Sequence, residues 1–144
     1  MQITRQADYA VRAILYLAQR GPGARASTAL IAEDQNIPLT FLAKIVSQLS
    51  AAGVVRATRG ARGGVALARP VDDISLLEIV EAIDGPMRLN ECVLDPALCP
   101  QSEDCAMRAV WCGAQADLVT KLAHTKFGQM LRPQPLAGPA PVAR

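Results

Sequence analysis

Apolar residues recur at helical spacing over most of the chain. After Thr4, a residue suited to cap a helix, the positions Ala7, Ala10, Val11, Ile14, Leu15 and Ala18 share one face, predicting a helix that runs to about Gln19. Gly21-Pro22-Gly23 ends it. Ser27 or Thr28 then offers a cap for a short second helix through Gln35, with Asn36 suited to its end. Pro38 fits the first turn of a third helix, whose inner stripe is Leu39, Leu42, Ile45, Val46 and Leu49 and whose outer face shows Thr40, Lys44, Ser47 and Gln48.

The pattern then switches. Val54 and Val55 begin a strand, residues 58–64 form a glycine-rich turn, and Val65, Ala66 and Leu67 return as a second strand. Pro70 closes the hairpin, and residues 74–84 read as another helix stopped by Gly85-Pro86. Residues 86–105 show little periodicity. A helical pattern returns over 105–131 through Met107, Val110, Trp111, Ala114, Leu118, Val119 and Leu122, with more apolar surface than so small a head can cover, as expected of a dimer seam. Pro133, Pro135, Pro139 and Pro141 mark a disordered tail.

The expected fold is mainly α with a small β-hairpin: a winged helix-turn-helix head plus a long dimerisation helix. Its parts are a DNA-binding domain over 1–70, a connecting helix and cysteine loop over 71–105, the dimerisation helix over 106–131 and a tail over 132–144. Any small helical bundle shows a similar stripe; what separates the two is the hairpin tipped by Arg59 and Arg62, shaped to clamp phosphates after a helix-turn-helix. Gly60, Gly63 and Gly64 permit positive φ and close backbone approach to a sugar–phosphate chain.

Charge agrees with this division. Residues 1–69 hold nine Arg and Lys against three Asp and Glu, and the remainder holds six against ten, beneath a net charge of +2. A basic front favours a polyanion partner. The 144 residues, 51% hydrophobic, suffice for one core; no apolar run is long enough to span a bilayer, and a cytoplasmic location is expected. Neither a nucleophile–base pair nor a phosphate-binding glycine loop outside the wing supports an enzyme.

Cys92, Cys99 and Cys105 follow as Cys-x6-Cys-x5-Cys in a stretch rich in Pro and acidic residues. Bunched thiols in a reducing compartment point to a metal centre, and the absence of paired Cys-x2-Cys knuckles favours iron–sulfur over zinc. Three thiolates leave a position for another side chain, another subunit or a small molecule. Cys112, if it shares one helix with Cys105, stands about 10 Å along the axis and reads better as a packed thiol. His124, the only histidine, suits a surface or interface. Asp8, one turn from Arg12, reads by itself as a surface ion pair.

Several segments together resemble the IscR/NsrR (Rrf-two) family of winged helix-turn-helix iron–sulfur transcription regulators. They are Met1-Gln2-Ile3-Thr4, residues 8–13 (Asp-Tyr-Ala-Val-Arg-Ala), residues 38–42 (Pro-Leu-Thr-Phe-Leu), the wing at 59–64, residues 77–85 (Leu-Glu-Ile-Val-Glu-Ala-Ile-Asp-Gly) and the cysteine triplet. The resemblance covers nearly all of residues 1–131. It implies a homodimeric repressor on operator DNA with one cluster per subunit at Cys92, Cys99 and Cys105. It also implies DNA contacts from Thr40, Lys44, Arg59 and Arg62, with Ser27 and Thr28 near the backbone; Gln48, Gly63 and Gly64 join them from their places on the recognition helix and wing. One branch has a histidine ligand three residues after the last cysteine, where this chain has Arg108. The NsrR-like branch uses an aspartate from the partner's first helix, which matches Asp8 of the partner subunit and implies [4Fe–4S] rather than [2Fe–2S], sensing nitric oxide or oxidant. Val65 departs from a wing position often aromatic in the family. An iron or cluster-status sensor with a [2Fe–2S] or labile cluster, and a cluster-free thiol switch, are the alternative readings.

Overall fold

The structure is a computed structural model describing residues 2–101 and 103–132. Helix α1 (Arg5–Gln19) opens at Thr4, whose extended backbone lets its hydroxyl accept from the Ala7 amide at 3.2 Å. Helix α2 (Thr28–Gln35) is capped by Ser27, whose Oγ accepts from Leu30 N at 3.1 Å, and is stopped by Asn36 at φ 51° in the left-handed region. Helix α3 (Leu39–Ala51) follows, with Pro38 as its cap residue. Tyr16 on α1 donates its phenol to Asp34 on α2 at 2.6 Å, and Arg20 reaches the same carboxylate at 3.5 Å. Accepting that hydrogen bond, Asp34 pushes the Tyr16 pKa up, burial adds to the rise and Arg20 opposes it.

Strands β1 (Val55–Thr58) and β2 (Gly64–Leu67) pair antiparallel, Val55 opposite Leu67 and Thr58 opposite Gly64. On the other edge of β2, Ala26 forms a single antiparallel bridge by exchanging two backbone hydrogen bonds with Val65, at 3.1 and 2.8 Å. The hairpin is thereby anchored to the segment leading into α2. Arg69 at its base donates to Gly53 O at 3.3 Å and forms an ion pair with Glu78 of the next helix.

Helix α4 (Leu76–Asp84) starts two residues later than the apolar pattern indicates, because Ile74 and Ser75 are extended and Ser75 caps the helix. Residues 86–105 are more ordered than their lack of periodicity predicts. They contain a single turn, α5 (Glu91–Leu94), and a 3-10 turn over Pro96–Leu98.

Helix α6 (Ala106–His124) is shorter than expected over 105–131: it begins after Cys105 and ends at His124. Thr125 and Lys126 are extended, Leu76 N donates to Thr125 O at 2.9 Å and Phe127 N donates to Ile74 O at 3.1 Å, and α7 (Phe127–Met130) follows. Burial of Phe127 forces the break, since its side chain is wholly enclosed by the head. Gly128 permits the approach, as a Cβ there would lie 1.8 Å from Asp72 Oδ1. Of the tail expected over 132–144, all but Arg132 lies outside the described residues.

The core is continuous. Ala10, Ala13, Ile14 and Leu17 of α1 meet Ile31 of α2, Leu42, Ile45 and Leu49 of α3, Val54, Val55 and Val65 of the hairpin, Ile79 of α4, and Phe127. Phe127 thus ties the end of the chain into the head. Phe127→Ala is expected to destabilise the protein by about 3–5 kcal/mol in chemical denaturation; a loss below about 1 kcal/mol would show that α7 is not part of the core.

Candidate nucleic-acid interface and cysteine segment

The exposed edge of the head carries the start of α3 and the wing. Thr40, Lys44 and Ser47 stand exposed on α3, as their spacing predicts, whereas Gln48 is half-buried with its Oε1 enclosed and without a hydrogen-bond partner. Gln48 therefore does not share their outward face fully. Ser27 is exposed but already spends an oxygen lone pair capping α2, and Thr28 is half-buried. Arg56, Arg59 and Arg62 are exposed along the hairpin, and Arg25 reaches the carbonyl of Arg62 at 3.4 Å.

The wing glycines divide by role. Gly60 is at φ 104° with open space around it. Gly63 has no positive φ, yet a Cβ there would lie 2.2 Å from Thr58 O. Gly64, at φ 137°, would bring a Cβ 2.9 Å from Ala26 O. The last two are thus required by the hairpin's own backbone. The sequence-based expectation gave these glycines positive φ and close backbone approach to a sugar–phosphate chain; Gly60 and Gly64 adopt positive φ and Gly63 does not.

Around Asp8 the structure builds an aromatic and cationic bridge between α1 and α3. Arg12 lies 3.6 Å from the Asp8 carboxylate and 5.0 Å from the Tyr9 ring centroid, and Tyr9 meets Phe41 edge-on at 6.4 Å. The Asp8 side chain remains 60% exposed.

All four cysteines are free thiols. Cys92 is buried on α5, Cys99 ends the 3-10 turn, Cys105 is the cap residue of α6, and Cys112 is half-buried on α6. Among the described residues, no three His, Cys, Asp or Glu side chains come together to hold a metal ion within one chain. His124 is exposed, its Nδ1 2.8 Å from Thr120 O.

Two residues that the sequence analysis passed over or dismissed as ligands hold the cysteine segment in place. Arg108 donates from Nε to Cys92 O at 3.1 Å. Gln115, a buried polar residue, accepts from Leu89 N at 2.9 Å and donates to Met87 O at 2.5 Å. A lone glutamine within the apolar spacing of α6 was the available signal.

The tri-helical head, the turn between α2 and α3 and the paired wing define a winged helix-turn-helix DNA-binding protein. Residues 3–133 match the family model Rrf2, described as an iron-dependent transcriptional regulator. The chain belongs to the Rrf2 family. It is 34% identical over 130 residues to an HTH-type transcriptional regulator of Mycobacterium tuberculosis strain H37Rv, covering 90% of this chain and 81% of that one. Among solved structures it resembles CymR, the global cysteine regulator of B. subtilis, with TM-score 0.78, 25% identity and coverage of 91% and 96%. It also resembles T. potens IscR, with TM-score 0.70, 26% identity and coverage of 91% and 86%. These relatives are transcription regulators rather than enzymes. No described helix is long and apolar enough to cross a membrane.

Gly63→Ala is expected to cost about 1–3 kcal/mol by overpacking the wing turn, read by chemical denaturation. Wild-type stability would disprove the account of that glycine.

Proposed function

We propose that the protein is a homodimeric transcription repressor whose operator affinity is set by an iron–sulfur cluster, held at Cys92, Cys99 and Cys105 and completed by Asp8 of the partner subunit. The observation that carries this reading is the state of the donors: three unpaired thiols on residues 92–105 and a carboxylate exposed on α1. Three thiolates suit iron–sulfur chemistry and leave a position that a second subunit could supply; among the described residues the chain by itself does not gather three such donors. Arg108, bound to Cys92 O, stands where a histidine ligand would be needed in the alternative branch, which favours the carboxylate and [4Fe–4S] over [2Fe–2S].

A bound cluster would supply iron that reacts with nitric oxide or oxidant. Around it, Asp8 offers a weaker, more displaceable ligand than a thiolate. Its release would break the tie between one protomer's cysteine segment and its partner's α1. Through Tyr9 and Phe41 that helix bears directly on the start of α3, so the loss biases recognition-helix placement.

DNA contact is assigned to Thr40, Lys44 and Gln48 on α3, to Arg59, Arg62 and the backbone at Gly63 and Gly64 on the wing, and to Ser27 and Thr28 at the start of α2. A second reading, a cluster-free thiol switch, is favoured by the accessibility of Cys99 and Cys105 to oxidants. A sensor of iron or cluster status is the variant in which cluster loss itself is the signal.

Protein purified without oxygen is expected to contain about four irons and four acid-labile sulfides per chain, with a visible spectrum bleached by nitric oxide. Asp8→Ala should abolish or slow that response while the three thiols remain. About two irons per chain would indicate the status sensor, and no metal the thiol switch; an unaltered response in Asp8→Ala would remove Asp8 from the site. Separately, Arg59→Ala with Arg62→Ala, which removes two arginines from each of the dimer's two wings, should weaken binding across DNA sequences and lower the slope of log affinity against log salt by about 4. An unchanged slope would take the wing out of the interface.

A further inference from the structure

Asp84 occupies an electrostatically adverse place on its own helix. It is the last residue of α4, where the carbonyl ends carry negative partial charge and a carboxylate is disfavoured. Its partner lies elsewhere. Oδ2 accepts from Thr4 N at 3.1 Å and Oδ1 accepts from Thr4 Oγ1 at 2.5 Å. Thr4 Oγ1 in turn accepts from Ala7 N, so one hydroxyl caps α1 and donates to the end of α4. The carboxylate misplaced on α4 is correctly placed for the positive end of α1.

This junction is continuous with the cysteine segment. Directly after Asp84, Gly85 turns at φ 80° into Met87, whose amide is held by Glu81 Oε1 at 3.0 Å. Gln115 then grips Met87 O and Leu89 N, and Arg108, about two turns earlier on α6, grips Cys92 O. The backbone from Asp84 to Cys92 is thus held by polar side chains at short intervals, with one end on α1 and the other beside the thiols. A cavity of about 260 Å³ lies at the junction, lined by Thr4, Val80, Asp84, Pro86, Met87 and Arg88 among others. The ties there are therefore specific hydrogen bonds bordering a gap rather than close apolar packing throughout.

We propose that Asp84 is a positioning residue that conveys the placement of the cysteine segment to the first turn of α1, within the same chain. Its purpose rests on the reading that the cysteines control DNA affinity, but its geometry does not. The route is separate from the ligand supplied across the dimer. Asp8 follows Thr4 by one turn and its amide donates to Thr4 O at 3.0 Å, so a shift of Thr4 also moves the carboxylate offered to the partner.

The test is amide hydrogen exchange on the reduced, metal-free full chain, which needs neither cluster nor DNA. Asp84→Ala should speed exchange at Thr4, Ala7 and Asp8 by about tenfold while leaving the last turn of α4 no faster than in wild type, since an adverse charge has been removed there. Gln115→Ala, which releases Met87 and Leu89, should produce a comparable acceleration at Ala7 and Asp8 in the wild-type background and none beyond that of Asp84→Ala in the double variant. Arg108→Ala serves as the release variant should Gln115→Ala fail to fold. Thr4→Ser should retain wild-type exchange and Thr4→Val should not. Additive effects, or an unaffected α1 after release of the segment, overturn the proposal without touching the metal reading. Failure of the iron and nitric oxide measurements leaves this junction standing.

Discussion

Helix α1 is the reference to which the rest of the head is built. It packs against α2, α3, α4, α7 and β2, and its inner residues Ala10, Ile14 and Leu17 lie in the common core. Small residues on this face, Ala7, Ala10 and Ala13, let the neighbouring helices approach, while Ile14 and Leu17 supply apolar area for them to share. Tyr16 and Arg20 fix α2 through Asp34, and Tyr9 fixes the start of α3 through Phe41. A change in the placement of α1 would therefore act on both elements of the helix-turn-helix together. Within such a packed unit, discrete rearrangements are favoured over continuous deformation.

The cysteine segment is built on another principle. Its turns α5 and Pro96–Leu98 are each too short to be stable as isolated helices. Leu94 and Leu98 are exposed, and Met87 and Cys92 are its buried anchors. Hydrogen bonds from Arg108, Gln115 and Glu81 therefore carry much of its placement. A segment positioned largely by polar bonds costs less to rearrange than the packed head, because less apolar surface must be uncovered. The head beneath it, with Phe127 and Ile14 enclosed, resists rearrangement for the opposite reason.

What was legible in the sequence follows this contrast. The boundaries of α1, α2 and α3 could be read because local signals set them: Thr4 and Ser27 as caps, Asn36 as a left-handed stop, and apolar spacing along one face. The hairpin was equally local. The end of α6 was not, since nothing in the spacing through residue 131 shows that Phe127 must leave the helix to fill a hole in a core whose members begin more than a hundred positions earlier, on α1. Positive φ at Gly60 and Gly64 was legible, whereas the contacts that exclude a Cβ at Gly63 and Gly64 were not, because Thr58 and Ala26 come close only in the folded hairpin. Cys92, Cys99 and Cys105 stood out as candidate ligands from their spacing and Asp8 only through the family resemblance, and among the described residues the folded chain does not bring three such groups together.

Helix α6 carries the observation that bears most on the proposed homodimer. Met107, Val110 and Trp111 are 52%, 58% and 38% exposed along its first turns, while Gln115 is buried beneath the same helix. The pattern inverts the usual partition, with the polar group inward and large apolar groups outward. The inward glutamine is accounted for by its bonds to Met87 and Leu89. The outward stripe is accounted for if a second copy covers it, which supports the homodimer proposed above. One helix would then serve the cysteine segment on its inner face and the partner on its outer face. Any displacement of that segment against Arg108 and Gln115 would be felt at the seam between protomers as well as at α1. In that arrangement the cysteine segment would lie between α1 of its own subunit and the proposed seam, within reach of both contacts that would set the spacing of the DNA-binding heads.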